Sequence, residues 1–259
     1  IFHFYIFYTK VNACWYNFVT SITEYTNINV VHTLPDCFNT GHFIGIQSEI
    51  VNFTLKTPLL MRILMIGASG TIGRKLVPAL TDNHDVIRAG RKGGDIEIDI
   101  TSAVSIKNAF QKLGKIDACV CVAASGPMDD FSMLTERQLL DDFQGKLFGQ
   151  VNLVLIGQHY LDDHGSFTLT SGIFADIPYK GVTGGAMVSG ALHSFVRSAS
   201  IELLRNIRIN VVSPGLVEDS AAAYGHLFPG LLPISMEEII EAYRSSVEDG
   251  LNGQIIRLY

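Results

Sequence analysis

From residue 61 onward, apolar positions along the chain alternate between two rhythms. RILMIG (62–67) is a short apolar run closed by glycine, the signature of a buried strand. TIGRKLVPALTDN (71–83) instead repeats its apolar residues at helical spacing, with Ile72, Leu76, Val77 and Leu80 on one stripe. DVIRAG (85–90) is a second strand and DIEIDI (95–100) a short third. SAVSIKNAFQKLG (102–114) is an amphipathic helix opened by a serine cap. DACVCVAA (117–124) is apolar throughout, as a central parallel strand covered on both faces must be. A long helix is predicted from about Thr135 to Tyr160, then a strand at SFTLTS (166–171) and a helix rich in small residues over 184–206. IRINVVSPG (207–215), SMEEIIEAYRSSVE (235–248) and QIIRLY (254–259) complete the series as strand, helix and strand. Short connections and right-handed crossovers then predict a single α/β domain over 61–259: a doubly wound parallel sheet in three layers, α/β/α.

Residues 1–60 do not share this rhythm. They hold 12 of the 25 aromatic residues but no arginine, two lysines and three acids. IFHFYIFYTKVNACWYNFVTS has neither clean helical nor clean strand periodicity. It has no basic leader region and no small-residue cleavage site, and its apolar run is too short to span a bilayer. Met61 is a natural start, with a strand beginning at once. Residues 1–60 are therefore expected to be an extension outside the fold, translated upstream sequence or an unrelated segment. The alternative is a real extra segment that packs on the domain or meets a partner.

Composition narrows the function classes. Apolar residues are 47% and charged residues 17% of 259, which suits a well-buried core rather than disorder. A net charge of −6 advertises no broad basic face, so neither nucleic acid nor an anionic membrane is an expected partner. Four cysteines make no disulfide framework. Cys119 and Cys121 share one face of a strand and are expected as buried free thiols, with no metal site. This suits a reducing, cytoplasmic setting.

The first strand and first helix are joined by Gly67-Ala-Ser69-Gly70-Thr71-Ile72-Gly73. Three glycines between a strand and a helix are the setting of a phosphate-binding turn. Gly67 makes the tight turn, Gly70 leaves room for a pyrophosphate against the backbone, and Gly73 lets the helix lie close to the sheet. The free N–H groups at the helix start favour phosphate. A glycine-rich turn with no ligand is the alternative. The second strand ends in Ala-Gly-Arg91-Lys92, where a reader of the NAD ribose would place an acid. Two cations there favour NADP over NAD, because arginine forks onto a 2′-phosphate. The alternative is two solvated loop residues. Asp99 is placed to meet the adenine amino group, or else to cap its own turn or the next helix.

At this point the chain resembles the short-chain dehydrogenase/reductase family across essentially all of 61–259. The resemblance is carried by GASGTIG, Asp99-Ile100, DACVCVAAS, KLFGQ, GSFTLTSG, SASIELL, IRINVVSPG and NGQIIRLY. It implies a Rossmann-type sheet and a nicotinamide cofactor held by Gly67, Ser69, Gly70, Thr71, Ile72, Gly73, Arg91, Lys92, Asp99, Ile100, Ala123, Ala124, Ser125, Lys146, Pro214, Gly215 and Val217. The glycine spacing is that of extended members, while the length is that of single-domain ones. The family relies on Asn, Ser, Tyr and Lys to protonate or deprotonate the reacting oxygen. Alignment back from IRINVVSPG puts those positions at Lys146, Gly172, Gly185 and Ser189, and no Tyr-x-x-x-Lys occurs anywhere in the chain. Three residues are candidates to replace the lost set. Ser171 can polarise a substrate oxygen, Lys146 can bind ribose or a substrate oxygen or serve as acid, and Tyr179, beside Lys180, can supply a phenol. Their alternatives are a strand-end hydroxyl bonded to backbone, a lysine paired with a helix carboxylate, and a loop aromatic covering the core. His164 and His193 are expected on the surface or on a helix face, without a role.

The resemblance thus implies an NADP-dependent oxidoreductase that moves hydride between nicotinamide and a small-molecule carbonyl or alcohol, with an altered catalytic set. A sensor or interaction module that binds NADP without chemistry is the second reading, and isomerisation or epimerisation a third. Residues 218–233, with Tyr224 and Phe228, read as a substrate lid of apolar character. The two long helices imply a homodimer or homotetramer.

Overall fold

The computed structural model describes residues 7–11, 14–18, 60–123, 128 and 130–259. Ala124 and Ser125 lie outside the described residues. Contacts divide the chain into Ile1–Leu59 and Leu60–Tyr259. In the first unit the backbone pairs as an antiparallel hairpin, β1 (Phe7–Val11) with β2 (Cys14–Phe18). The residue pattern had shown no strand there, because main-chain pairing by itself requires no sidedness.

The second unit is the expected α/β alternation. Its elements run β3 (Arg62–Ile66), α1 (Gly73–Thr81), β4 (Asp85–Gly90), β5 (Ile96–Glu97), α2 (Ala103–Leu113) and β6 (Ile116–Cys121). They continue with α3 (Glu136–Asp142), α4 (Phe148–Gly157), β7 (Leu161–Thr170), α5 (Thr183–Glu202), β8 (Arg208–Pro214), α6 (Glu218–Tyr224), α7 (Met236–Glu248) and β9 (Ile255–Leu258). The sheet order is β5-β4-β3-β6-β7-β8-β9, and every pair is parallel. Chain order reverses between β3 and β6, so a crevice opens at the C-terminal ends of those two strands.

Alternation along β3 shows why both faces are covered. Leu64 and Ile66 enter one core with Ile106, Phe110, Leu153, Phe167 and Leu192. Ile63 and Met65 enter the other with Leu76, Leu80, Ile239 and Tyr243. Cys119 and Cys121 share the first face, both free and buried. Burial raises both thiols, Cys121 to about 12, so neither is a ready thiolate.

Two elements depart from the expected pattern. The third strand shrinks to Ile96–Glu97, because Asp99 turns its carboxylate back onto the N–H and hydroxyl of Thr101. The long helix begins as expected at Thr135, with a capping box to Gln138. It does not run unbroken: a π-helical turn, Phe143–Leu147, separates α3 from α4. The wider turn carries Gly145 and Lys146. Among the described residues no helix is long and apolar enough to cross a membrane.

Phe110 is fully buried and stacks on Tyr160 at 5.4 Å. Its ring occupies the space that Gly157 leaves by having no side chain. Phe110→Ala is expected to cost about 3–5 kcal/mol, read as a lower urea midpoint at unchanged slope.

Candidate functional site

The C-terminal strand ends set the site. β3 runs directly into the glycine turn, where Gly67 donates its N–H to the Ala89 carbonyl (3.0 Å). Gly67 has φ +87°, and a Cβ there would stand 2.7 Å from the Ala123 nitrogen. The exit of β6 therefore lies against the turn. A Cβ on Gly73 would stand 2.2 Å from the Gly67 carbonyl oxygen, so α1 starts in contact with the loop that precedes it. Gly70 donates to the Gly67 oxygen (3.0 Å) and is exposed with Ser69. The N–H groups of Ser69, Thr71 and Ile72 make no hydrogen bond among the described residues. Ile72 caps α1 without a side-chain bond, and the first turn holds no acid. A bare cradle of unpaired donors at a helix start fits a phosphate group.

Beyond β4, Arg91 and Lys92 are exposed, and neither makes a hydrogen bond or an ion pair among the described residues. Arg91 does help hold Asp99 below the usual carboxylate range, after the larger effect of the Thr101 hydrogen bonds. Asp99 thus caps its own turn through Oδ1. Ile100, half-buried, packs where Gly149 has no side chain.

On the other side of the crevice, Pro214 ends β8 and Gly215 donates to the Leu258 carbonyl (2.9 Å). Val217 forms a parallel bridge to Ile234, reinforced by Ile234 N–H to the Leu216 oxygen and Glu218 N–H to the Ile234 oxygen. The segment 218–233 is thereby pinned at its base. Its Phe228 is buried against Phe174 (centroids 5.1 Å) and Tyr179 (5.5 Å, near perpendicular). The Tyr179 hydroxyl has no hydrogen-bond partner among the described residues. Tyr179 therefore packs as a ring between its own loop and the 218–233 segment.

Ser171 and Lys146 come together. Ser171 follows the last residue of β7, and its carbonyl accepts from the Lys146 Nζ (3.3 Å). Desolvation lowers the Lys146 pKa from the ordinary 10.5 to about 8, opposed by the charges of Asp142 and Cys121. Lys146 thus bonds the backbone carbonyl at the strand end and feels the charge of the Asp142 carboxylate on the preceding helix.

The Ser171 hydroxyl bonds a side chain, not the backbone. Its Oγ lies 2.9 Å from His193 Nε2, and both residues are buried. His193 Nδ1 lies 3.9 Å from Asp176 Oδ2. Asp176 is in turn bonded by Arg257 Nε (3.0 Å) and by the Tyr259 hydroxyl, which hold it below the usual carboxylate range. His164 is exposed, as expected; His193 lies on a face of α5, as expected, but that face is turned inward and the residue is buried with a partner. Helical spacing in the sequence sets His193 on one face with two earlier positions, without saying what that face meets. Gly185, Ser189 and His193 follow at intervals of four on α5, one face of one helix.

The model of a family described as enoyl-(acyl carrier protein) reductase matches residues 75–241. The protein lin1944 from Listeria innocua is 40% identical, with a TM-score of 0.75 over 77% of this chain and 100% of that one. A small-chain dehydrogenase in complex with NADPH is 25% identical, with a TM-score of 0.68 over 77% and 96%. A glucose/ribitol dehydrogenase-type protein from Brucella melitensis, 18% identical at TM-score 0.66 over 77% and 97%, shares the fold. No curated protein matches the sequence. The chain belongs to the short-chain dehydrogenase/reductase family. It is an oxidoreductase.

The depressed lysine pKa has a thermodynamic consequence. Above about pH 10.5 Lys146 is neutral folded or unfolded. As pH falls toward about 8 the unfolded chain takes the proton first, so stability is lost over that window. The loss attributable to Lys146 is ~3 kcal/mol. Urea unfolding at both ends of the window should show Lys146→Met with a shallower pH dependence than the wild type.

Proposed function

We propose that this chain is an NADP-dependent oxidoreductase that transfers hydride between the nicotinamide and a carbonyl or alcohol, with Ser171 and Lys146 in place of the usual tyrosine and lysine. The observation that carries the reading is the meeting of Ser171 and Lys146 at the end of β7, on the same sheet edge as the open glycine turn. In this reading Gly67, Ser69, Gly70, Thr71, Ile72 and Gly73 hold the pyrophosphate by backbone N–H groups. Arg91 and Lys92 meet the 2′-phosphate; among the described residues neither makes a hydrogen bond or ion pair, which leaves them available for it. Asp99, Ile100, Ala123, Ala124 and Ser125 flank the adenosine half, and Pro214, Gly215 and Val217 the carboxamide. The bound nicotinamide supplies the hydride chemistry. The protein orients the reacting oxygen at Ser171, supplies a nearby cation in Lys146, and excludes water with the Phe228 lid. NADPH in the complex of the 25%-identical relative supports the choice of cofactor.

Fluorescence titration of the protein with NADPH and with NADH tests this. NADPH should bind at least tenfold more tightly, and Arg91→Ala should erase most of that preference. A panel of ketones, aldehydes and enoyl thioesters should then give turnover, lowered about 10²–10⁴-fold in Ser171→Ala. NADPH binding without turnover on any substrate would favour the non-catalytic sensor, a reading suited to glycine at 172 and 185. Phe148, Leu155 and Met187 on the two long helices are about half exposed, 47%, 51% and 45%. They support a homodimer or homotetramer, and a monomer by light scattering would refute it.

A further inference from the structure

The proton-handling groups of α5 and β7 are displaced together. On α5 the positions at intervals of four are Gly185, Ser189 and His193, so the first ionisable group comes one turn beyond Ser189. On the strand side, Gly172 has no hydroxyl, and a Cβ there would face Ser189 Oγ at 3.8 Å. The hydroxyl comes one residue earlier, at Ser171. These two displaced groups are bonded to each other at 2.9 Å.

We propose that His193 is the positioning residue and proton reservoir of this site, acting through Ser171. The inference rests on the oxidoreductase reading above, in which Ser171 touches the substrate oxygen. The carboxylate of Asp176 faces Nδ1 at 3.9 Å and favours the tautomer with its proton on Nδ1. Nε2 is then free to accept from the Ser171 hydroxyl, which leaves Oγ able to take a proton from a substrate alcohol. In oxidation the substrate O–H proton passes to Ser171 Oγ, and the Ser171 proton passes to His193 Nε2. The hydride leaves the substrate carbon with its electron pair for an oxidised nicotinamide. Reduction runs each transfer in reverse, with the imidazolium as proton donor.

The path also has an outlet. Ser171 and His193 are 4% and 6% exposed, whereas the Asp176 side chain is 34% exposed. A buried hydroxyl that exchanges a proton needs such a connection to water, and the family's tyrosine and lysine are not here to provide one. Arg257 on β9 and Tyr259 fix the Asp176 end. The charges facing the imidazole are Asp176, Arg257 and Arg197. Burial lowers its pKa most; Asp176 raises it, and the two arginines lower it further. His193 is therefore neutral at pH 7, ready as acceptor. Because its folded pKa is lowered, stability is lost as pH falls through the ordinary histidine value, where the unfolded chain takes the proton first. Ser171 also accepts from the Lys146 ammonium through its backbone carbonyl, so one residue carries both contacts.

The test begins with ¹⁵N NMR of the imidazole rings in the full chain, without cofactor. His193 should show Nδ1 protonated and Nε2 accepting, a titration midpoint below 6.5, and a clear Nε2 shift in Ser171→Ala. The second arm is kinetic. His193→Gln keeps a polar group toward Ser171 but cannot titrate. It should lower kcat at least tenfold, leave KM and NADPH affinity within twofold, and abolish the acidic limb of the pH profile. An imidazole spectrum unmoved by Ser171→Ala, or a His193→Gln enzyme with its kcat and pH profile intact, overturns the relay and leaves the oxidoreductase reading standing. Loss of NADPH affinity in step with kcat overturns it too, as the mark of a merely structural histidine. A wild-type chain that binds no NADPH removes the oxidoreductase reading, and the relay with it.

Discussion

A sheet made only of parallel strands has to be buried on both sides, and most of this molecule follows from meeting that requirement. Ile63 and Met65 need α1 and α7 above them, while Leu64 and Ile66 need α2, α4 and α5 below. Helices on both faces demand crossovers that always enter strands from the same end. Every strand therefore finishes on one edge. The glycine turn, Ala123, Ser171 and Pro214 share that edge because of the core, independently of any chemistry they perform.

The edge is organised by close approach on one side and by polar contact on the other. At the glycine turn, backbone meets backbone so tightly that a methyl group at Gly67 or Gly73 would collide with main-chain atoms. Within that tight turn the N–H groups of Ser69, Thr71 and Ile72 meet no acceptor among the described residues. Around β7 the opposite holds. Lys146 and His193 are joined through the carbonyl and hydroxyl of Ser171, and the Asp176 carboxylate lies on the far side of the imidazole. The polar groups around the end of β7 are held by hydrogen bonds to one another.

Lys146 shows how a local backbone irregularity serves this arrangement. The lysine sits in the π turn between α3 and α4, where the wider winding alters which side chains face the sheet. Its ammonium reaches the Ser171 carbonyl at the expense of hydration, which is the source of its lowered pKa. Tyr179 and Phe228 show the complementary case. Both are loop residues whose position comes from ring packing between separate segments, a contact with no local pattern to announce it.

The sequence by itself determined what depends on neighbours along the chain. Strand and helix periodicity, the serine and threonine caps, the glycine turn and the missing Tyr-x-x-x-Lys are all local, so all were legible before any coordinates. The family resemblance, carried by several short motifs in order, was legible too. Tertiary structure decided what depends on distant segments meeting. It shortened the third strand where Asp99 found Thr101, and opened a π turn in a helix whose residue pattern looked continuous. It also joined His193 to Ser171 across 22 positions and to Asp176 beyond it. A histidine in a helix has no sequence mark that says whether it faces water or a buried hydroxyl. That choice is made by which strand end the helix packs against, and only the folded sheet sets it.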